Sequence, residues 1–465
     1  MEGYSRSRKS IRDFIRKNFK TSQLLALSFL LVILVGTILL SLPISQTGYE
    51  KVTLLDALFT ATTSTCVTGL MTVNASLHFS LFGQIVILCM IQIGGLGLMI
   101  FIALIMLFIN GKLDLSNIEL LKDAFNKDDS KDVSKFIQSI IKYTIASEFI
   151  GFLLILSQLF DGTGGSVFKS LFLAISSFCN AGIETLGTSS LMAYDTNVVI
   201  NLTVCLLIVL GGLGFIVWFD LAENLKLWFK LKYRFKTFAS KLKIHTKIVL
   251  IMTLSLILLG AGVTLALEYN NVLSHLGLYD KIQASFFNSV TLRTAGFYTI
   301  DNSLLRDPTK VFMSIFMVIG ASPGGTGGGL KTTTLFVILL SMLTEIKGKK
   351  NVHVFNYHIT HHNIIKAMTI CGMYVLLILF TSMVMSGFEP QYHYIDILFE
   401  ITSAIGTVGL STGITPFLTS MSKIILILLM FIGRVGPVTI LISISGKGKT
   451  IDSRIKYPSS EIIVG

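Results

Sequence analysis

Eight stretches of apolar residues, each long enough to cross a lipid bilayer as a helix, constrain this chain more than any other feature. They lie near residues 22–42, 81–109, 137–160, 197–220, 246–268, 310–343, 362–386 and 422–443. A crossing takes about 20 apolar residues. The hydrocarbon layer offers no water to unpaired backbone groups, so helices are expected there rather than strands of an open sheet. Composition agrees, because only 14% of the 465 residues are charged, against about 25% in a soluble domain. An all-α polytopic membrane protein with eight spanning helices is expected, with no length left for a soluble domain. The first apolar run is too long for a signal peptide, and no small-residue cleavage site follows it. The five cysteines (Cys66, Cys89, Cys179, Cys205 and Cys371) show no metal-ligand spacing and read as buried thiols.

The formal charge of +12 would suit a nucleic-acid partner, but its distribution argues against one. Seven basic residues fall in the first twenty, eight between Lys226 and Lys247, four between Lys347 and Lys366, and four after residue 446. The alternate loops near 43–53, 270–281, 301–310 and 387–396 hold few. That asymmetry predicts cytoplasmic termini, residues 1–21 and 444–465, in a multi-pass protein of the cell membrane. The loop at 110–135 is mixed in sign.

Between successive pairs of long apolar runs lies a shorter segment ending in glycine. The endings are Val67-Thr68-Gly69, Asn180-Ala181-Gly182, Thr294-Ala295-Gly296 and Thr407-Val408-Gly409, and the glycines are 113, 114 and 113 residues apart. Ten residues before each stands Phe59, Phe172, Phe286 or Phe399, and 24 to 29 residues after each comes Gly94, Gly211, Gly320 or Gly433. Shared registers in four copies mark an internal repeat. The repeats are placed at 22–109, 137–220, 246–343 and 362–443, each a helix, a half-crossing pore helix, an extended glycine-centred stretch and a second helix. Irregular backbone at membrane depth is tolerated only where it lines water or is buried in protein. Four copies therefore predict a pseudo-fourfold ring around a central pore, in which carbonyls of the four extended stretches replace the hydration shell of a monovalent cation. Glycine permits the positive-φ backbone this needs, and the C-terminal ends of the pore helices favour a cation over an anion.

The stretches Thr291-Leu292-Arg293-Thr294-Ala295-Gly296-Phe297 and Gly320-Ala321-Ser322-Pro323-Gly324-Gly325-Thr326-Gly327-Gly328-Gly329-Leu330-Lys331-Thr332 resemble motifs of the Trk/Ktr/HKT potassium transporter superfamily, most closely its Ktr branch. The resemblance spans residues 20 to 445. It implies potassium as the ion held at the filter carbonyls, sodium being the second candidate, and no covalent cofactor. In that family serine at the first filter position goes with sodium permeation, and all four positions are glycine here. The resemblance also implies a homodimer with one pore per protomer, docked on a cytosolic ring of nucleotide-binding subunits. The loops at 110–135 and 223–247 and the C-terminal tail are the expected contact surface. Any nucleotide belongs to that partner.

Taken alone, the glycine-rich stretch is not a phosphate-binding loop, because Leu330 interrupts the G-x-x-x-x-G-K-[ST] pattern and an apolar helix, not a strand, precedes it. Eleven residues with six glycines and a proline cannot continue a helix. They predict a break in the second helix of repeat three, below the filter, where a mobile gate is expected. Arg434 is expected beside that gate, either as an electrostatic barrier and donor to the gate's carbonyls or as a packing arginine paired with a carboxylate. Lys331 is expected to point to cytoplasmic water. Arg293 is expected to brace the filter from behind by hydrogen bonds, with Glu400 as a candidate partner. Asn180 either tunes the ion site or holds its loop. His353, His358, His361 and His362 read as a solvated loop rather than a zinc site. No catalytic dyad is present, so an enzyme is not expected. The alternative function is a secondary transporter coupling potassium to sodium or protons, with Glu148 as the best-placed intramembrane acid.

Overall fold

The computed structural model describes residues 21–97, 130–231, 235–349, 351–355 and 357–444, and they are mostly helical. Four long outer helices, Thr21–Ser41, Ser130–Leu159, Ile244–Glu268 and His361–Phe388, are each apolar enough to cross a membrane. Each is followed by a shorter helix: Leu54–Cys66, Gly164–Cys179, Leu278–Thr291 and Tyr394–Gly406. Sixteen residues at 1.5 Å rise reach about 24 Å, short of a ~30 Å hydrocarbon core, so these pore helices stop partway. An inner helix then closes each repeat, starting at Leu81, Val198, Asp307 and Ser420. The predicted 110–135 loop and both termini lie mostly outside the described residues.

The inner helices differ from expectation. Only the third was predicted to break, yet the second and fourth break as well, and the first ends at Leu96, where the described residues stop after Gly97. In repeats one, two and four a glycine at positive φ stands just past the helix end: Gly97 (φ 83°), Gly214 (φ 93°) and Gly436 (φ 94°). In repeat two the halves Val198–Gly212 and Phe215–Leu231 meet at 99°. The cause is a G-x-L/V-G pattern (Gly94-Gly95-Leu96-Gly97, Gly211-Gly212-Leu213-Gly214, Gly433-Arg434-Val435-Gly436) whose last glycine takes a conformation that an L side chain resists. Repeat three has Pro323 at that register and breaks over a longer loop between Val318 and Thr332. The basic run at 226–247 is likewise more helical than expected, in Phe215–Leu231 and Phe235–Lys241.

Polar side chains fix the seams. At the end of the third outer helix, Glu268 accepts hydrogen bonds from the Arg306 N–H (3.1 Å) and the Thr309 hydroxyl, where the inner helix begins. Glu389, after the fourth outer helix, does the same for the Thr419 N–H and hydroxyl, both at 2.7 Å. The Asp220 carboxylate caps the start of the third outer helix, accepting from the Lys243 N–H (3.0 Å) and the Thr246 hydroxyl (2.6 Å). Each inner helix also packs on the pore helix of the next repeat, and the fourth packs on the first. The order 1-2-3-4-1 closes a ring.

Candidate functional site: a ring of four glycine loops and the loop beneath it

Each pore helix gives way to a loop in which a non-glycine residue takes the left-handed conformation: Val67 (φ 56°), Asn180 (φ 59°), Thr294 (φ 65°) and Thr407 (φ 52°). Two residues later come Gly69 (φ 105°), Gly182 (φ 66°), Gly296 (φ 80°) and Gly409 (φ 94°). Such backbone costs an L-residue of order 1–3 kcal/mol, and for β-branched Val67 it is a genuine outlier. Hydrogen bonds to the pore helices hold it. The Gly69 N–H donates to Thr63 Oγ1 (2.9 Å) and the Gly409 N–H to Ser403 Oγ (3.0 Å). Ser176 and Thr291 use their hydroxyls the other way, donating to the carbonyls of Ile183 (2.5 Å) and Phe297 (2.6 Å).

The four loops touch in cyclic order. A Cβ on Gly69 would meet the Ala181 carbonyl oxygen at 2.8 Å, one on Gly182 that of Ala295 at 2.6 Å, and one on Gly296 that of Val408 at 2.6 Å. One on Gly409 would meet the Thr68 carbonyl oxygen closer still. The glycines therefore serve two needs at once, positive φ and close approach. On one side of the ring lies a cavity of about 470 Å³, lined by all four glycines.

On the other side lies the Gly320–Leu330 loop. Cβ atoms on Gly327 and Gly328 would collide with the hydroxyls of Thr294 and Thr407, so the loop lies directly against the base of the ring. The Gly328 N–H donates to Thr407 Oγ1 (3.0 Å), and Thr326 Oγ1 donates to the Phe178 carbonyl (3.2 Å). Backbone bonds tie Ser322 to Gly212, Thr326 to Gly211 and Gly329 to Gly433. The Arg434 guanidinium donates to the carbonyls of Thr326 and Gly94, and to that of Gly95 at 3.4 Å. It thus bridges the loop to repeat one, with carbonyls and no carboxylate as its described partners. The predicted glycines Gly94, Gly211 and Gly433 pack against carbonyls of their own pore helices, Thr65, Phe178 and Ile405, whereas Gly320 packs against Gly328 within the loop.

Three expectations are corrected. Lys331 does not extend into water: its Nζ folds back to the Gly327 (2.8 Å) and Gly328 (3.3 Å) carbonyls of the loop, the second of which also accepts from the Ala321 N–H (3.3 Å). Glu400 is not the partner of Arg293. It accepts from the Ser411 hydroxyl (2.6 Å), the Thr412 N–H (3.0 Å) and the Thr415 hydroxyl (2.6 Å), which engages both oxygens. Nε and Nη2 of the buried Arg293 donate to nothing among the described residues, and its carbonyl takes a hydrogen bond from Asn180 Nδ2 (3.2 Å). Finally, the phenylalanine register slips in repeat three. Phe59, Phe172 and Phe399 are fully buried, but there Phe287 is buried and Phe286 is 36% exposed. The anchoring hydroxyl moves equally, five residues before the glycine (Thr291) instead of six, so both side-chain positions stand one residue nearer the glycine in repeat three.

A register that the sequence reading missed is threonine three residues after each glycine: Thr72, Thr185, Thr299 and Thr412, all buried. The same spacing count would have found it. Glu148, in the second outer helix, accepts from Gln92 Nε2 (3.1 Å), whose Oε1 faces Cys179 Sγ at 3.5 Å. The cross-strand pair His353 and His358 belongs to a two-stranded ribbon, and no group of three potential metal ligands gathers among the described residues.

The architecture has known counterparts. Residues 9–451 match the family model described as TrkH, cation transport protein. The chain is 40% identical over 451 residues to the Ktr system potassium uptake protein B of Bacillus subtilis, covering 96% of this chain and 97% of that protein. It is 38% identical to the potassium/sodium uptake protein NtpJ of Enterococcus hirae, over 97% and 98% of the two chains. Among solved structures, the potassium transporter TrkH of Vibrio parahaemolyticus aligns with TM-score 0.67 at 17% identity, over 89% of this chain and 84% of that one. A helical membrane protein with four such repeats, matched over nearly its whole length, belongs to the TrkH family of cation transport proteins.

Proposed function

We propose that this chain is the ion-translocating subunit of a potassium uptake system. Potassium enters from the 470 Å³ cavity, sheds water at the ring of glycine loops and passes the Gly320–Leu330 loop. The cyclic contact of the four glycines with their neighbours' carbonyls carries this reading, since it brings four backbone-oxygen-rich loops to one axis. The loop beneath, tied to three repeats and to Arg434, stands in the path and serves as its gate. The B. subtilis relative, a potassium uptake protein, favours potassium, and the name of the E. hirae relative adds sodium as a second cargo. The cavity is assigned to the outside, both termini to the cytoplasm of the cell, and the functional unit is a homodimer on a cytosolic regulatory ring that carries any nucleotide. Alternating access is the weaker reading, because a closed same-direction ring is not the twofold inverted arrangement common among such carriers. Glu148, the best relay candidate, bonds only to an amide among the described residues.

The test is potassium flux into proteoliposomes under an inside-negative potential, comparing wild type with a chain whose residues 324–328 are deleted. Flux that rises in the deletion supports pore and gate together. Equal flux removes the gate, and absence of flux from both folded proteins, with the partner ring present, removes the pore.

A further inference from the structure

The cavity above the ring is more than an opening. Its lining includes Glu184, Asp301, Asn302 and Thr412 beside the four glycines. Glu184 follows Gly182 by two residues, so its Cα lies within ~7 Å of the ring. One carboxylate oxygen, Oε2, accepts from the N–H groups of Leu186 and Gly187 (3.2 Å to the latter), which fixes the side chain. No hydrogen bond to the other oxygen is present among the described residues. Asp301 spends one oxygen on the Ser303 N–H (2.9 Å) and hydroxyl (2.7 Å). Asn302 is 2% exposed, and neither its amide oxygen nor its nitrogen has a partner; the Thr412 hydroxyl, 6% exposed, has none either. Buried polar groups left unpaired in this way mark a place for water or a ligand.

We propose that Glu184, assisted by Asp301, Asn302 and Thr412, forms a loading site for a hydrated monovalent cation immediately before the filter. The two carboxylates set up a negative potential in a walled cavity, which concentrates cations at its floor. A water takes up ~30 Å³, so about 470 Å³ accommodates a cation with its first hydration shell. The unpaired amide and hydroxyls bond to shell waters and so hold the ion without stripping it. A divalent ion is disfavoured, because no three acidic, histidine or cysteine ligands converge among the described residues to offset its dehydration.

This site rests on the reading that potassium passes through the ring, and the experiment separates the two. Initial potassium flux into proteoliposomes is measured against external potassium for wild type, Glu184→Gln and Asp301→Asn, at low and high concentrations of an impermeant salt. Glutamine keeps one acceptor oxygen for the Leu186 and Gly187 N–H groups, so the loop stays closed. KM is expected to rise three- to tenfold in Glu184→Gln and two- to threefold in Asp301→Asn at low salt, while the saturating rate falls by less than twofold. High salt should narrow the gap through screening. An unchanged KM in both variants, or a loss confined to the saturating rate, overturns the loading site while leaving the pore intact. A wild type that carries no potassium overturns the pore itself.

Discussion

Gly409 and Gly69 occupy equivalent places in their repeats but do not face equal constraints. Both have φ near 100°, yet a Cβ at Gly69 falls 2.8 Å from the Ala181 oxygen, whereas one at Gly409 falls much closer to Thr68. Positive φ alone costs a substituted residue about 1–2 kcal/mol, and the collision adds to it. Alanine scanning should therefore leave most flux at Gly69, with weakened potassium-over-sodium discrimination, and least at Gly409. Gly182 and Gly296 should fall between. Equal losses at all four positions, measured as flux and as potassium/sodium ratio, would contradict this ordering. Glu184 supplies a second prediction at this scale. Burial raises its carboxyl above the usual 4.5, with the Leu186 and Gly187 N–H groups and then Lys169 on the preceding pore helix drawing it partly back. Tyr298 and Asp301 are the other titratable groups lining this cavity. A raised value means the proton is taken up at higher pH than by an ordinary carboxylate, and the charge is lost on acidification. Lowering the cavity-side pH from neutral toward 4.5 should therefore weaken apparent potassium affinity early, and this early limb should vanish in Glu184→Gln.

At the scale of the element, the glycine-rich loop is defined by what ties it down. Its backbone bonds reach repeats two and four, and Arg434 alone carries it to repeat one. A planar guanidinium can fork between two carbonyls, which an ammonium group does less well. Arg434→Ala should free the loop and raise flux severalfold in proteoliposomes without the partner. Arg434→Lys distinguishes the two ways arginine can act. If the fork is what matters, lysine behaves like alanine; if the positive charge is the barrier, lysine keeps flux near wild type.

At the scale of the whole molecule, the ring has four seams but only two described ion pairs across them. Lys310 meets Asp396 at 2.8 Å across the seam of repeats three and four, and Lys423 meets Asp56 at 3.7 Å across that of four and one. Each lysine stands fourteen residues after its repeat's filter glycine and each aspartate thirteen before the next repeat's, and the same two registers hold Gly83 with Lys169 and Thr196 with Gln283 in the other repeats. Repeat four is thus latched on both sides. Both pairs are largely buried, with side chains 9% and 17% exposed in the first and 15% and 12% in the second, and in the first, closer pair leaving Asp396 unpaired costs ~3 kcal/mol or more. Thermal unfolding should show Lys310→Met destabilised by about that amount, Lys423→Met by less, and the double variant Lys310→Met/Asp396→Leu restored toward wild type.

Much of this was readable along the chain. The long apolar runs dictated helices, because lipid leaves backbone groups no other partner, and the 113- and 114-residue spacing placed the glycines that the structure brings into one ring. The G-x-L/V-G breaks and the threonines after each glycine were equally present as local patterns and went uncounted. Other features were not local. The one-residue slip in repeat three is invisible to spacing alone, since Phe286 and Phe287 are adjacent and only packing selects which is buried. The fate of Arg434 depended on which carbonyls a distant segment presents, 340 positions away for Gly94, while those of Lys331 and Glu400 depended on how the adjoining loops fold back on them. Periodicity and covalent spacing determine which residues share an element and a register. The tertiary structure decided which polar atoms find partners, because hydrogen bonds require approach within about 3 Å, and only the closed ring sets that distance.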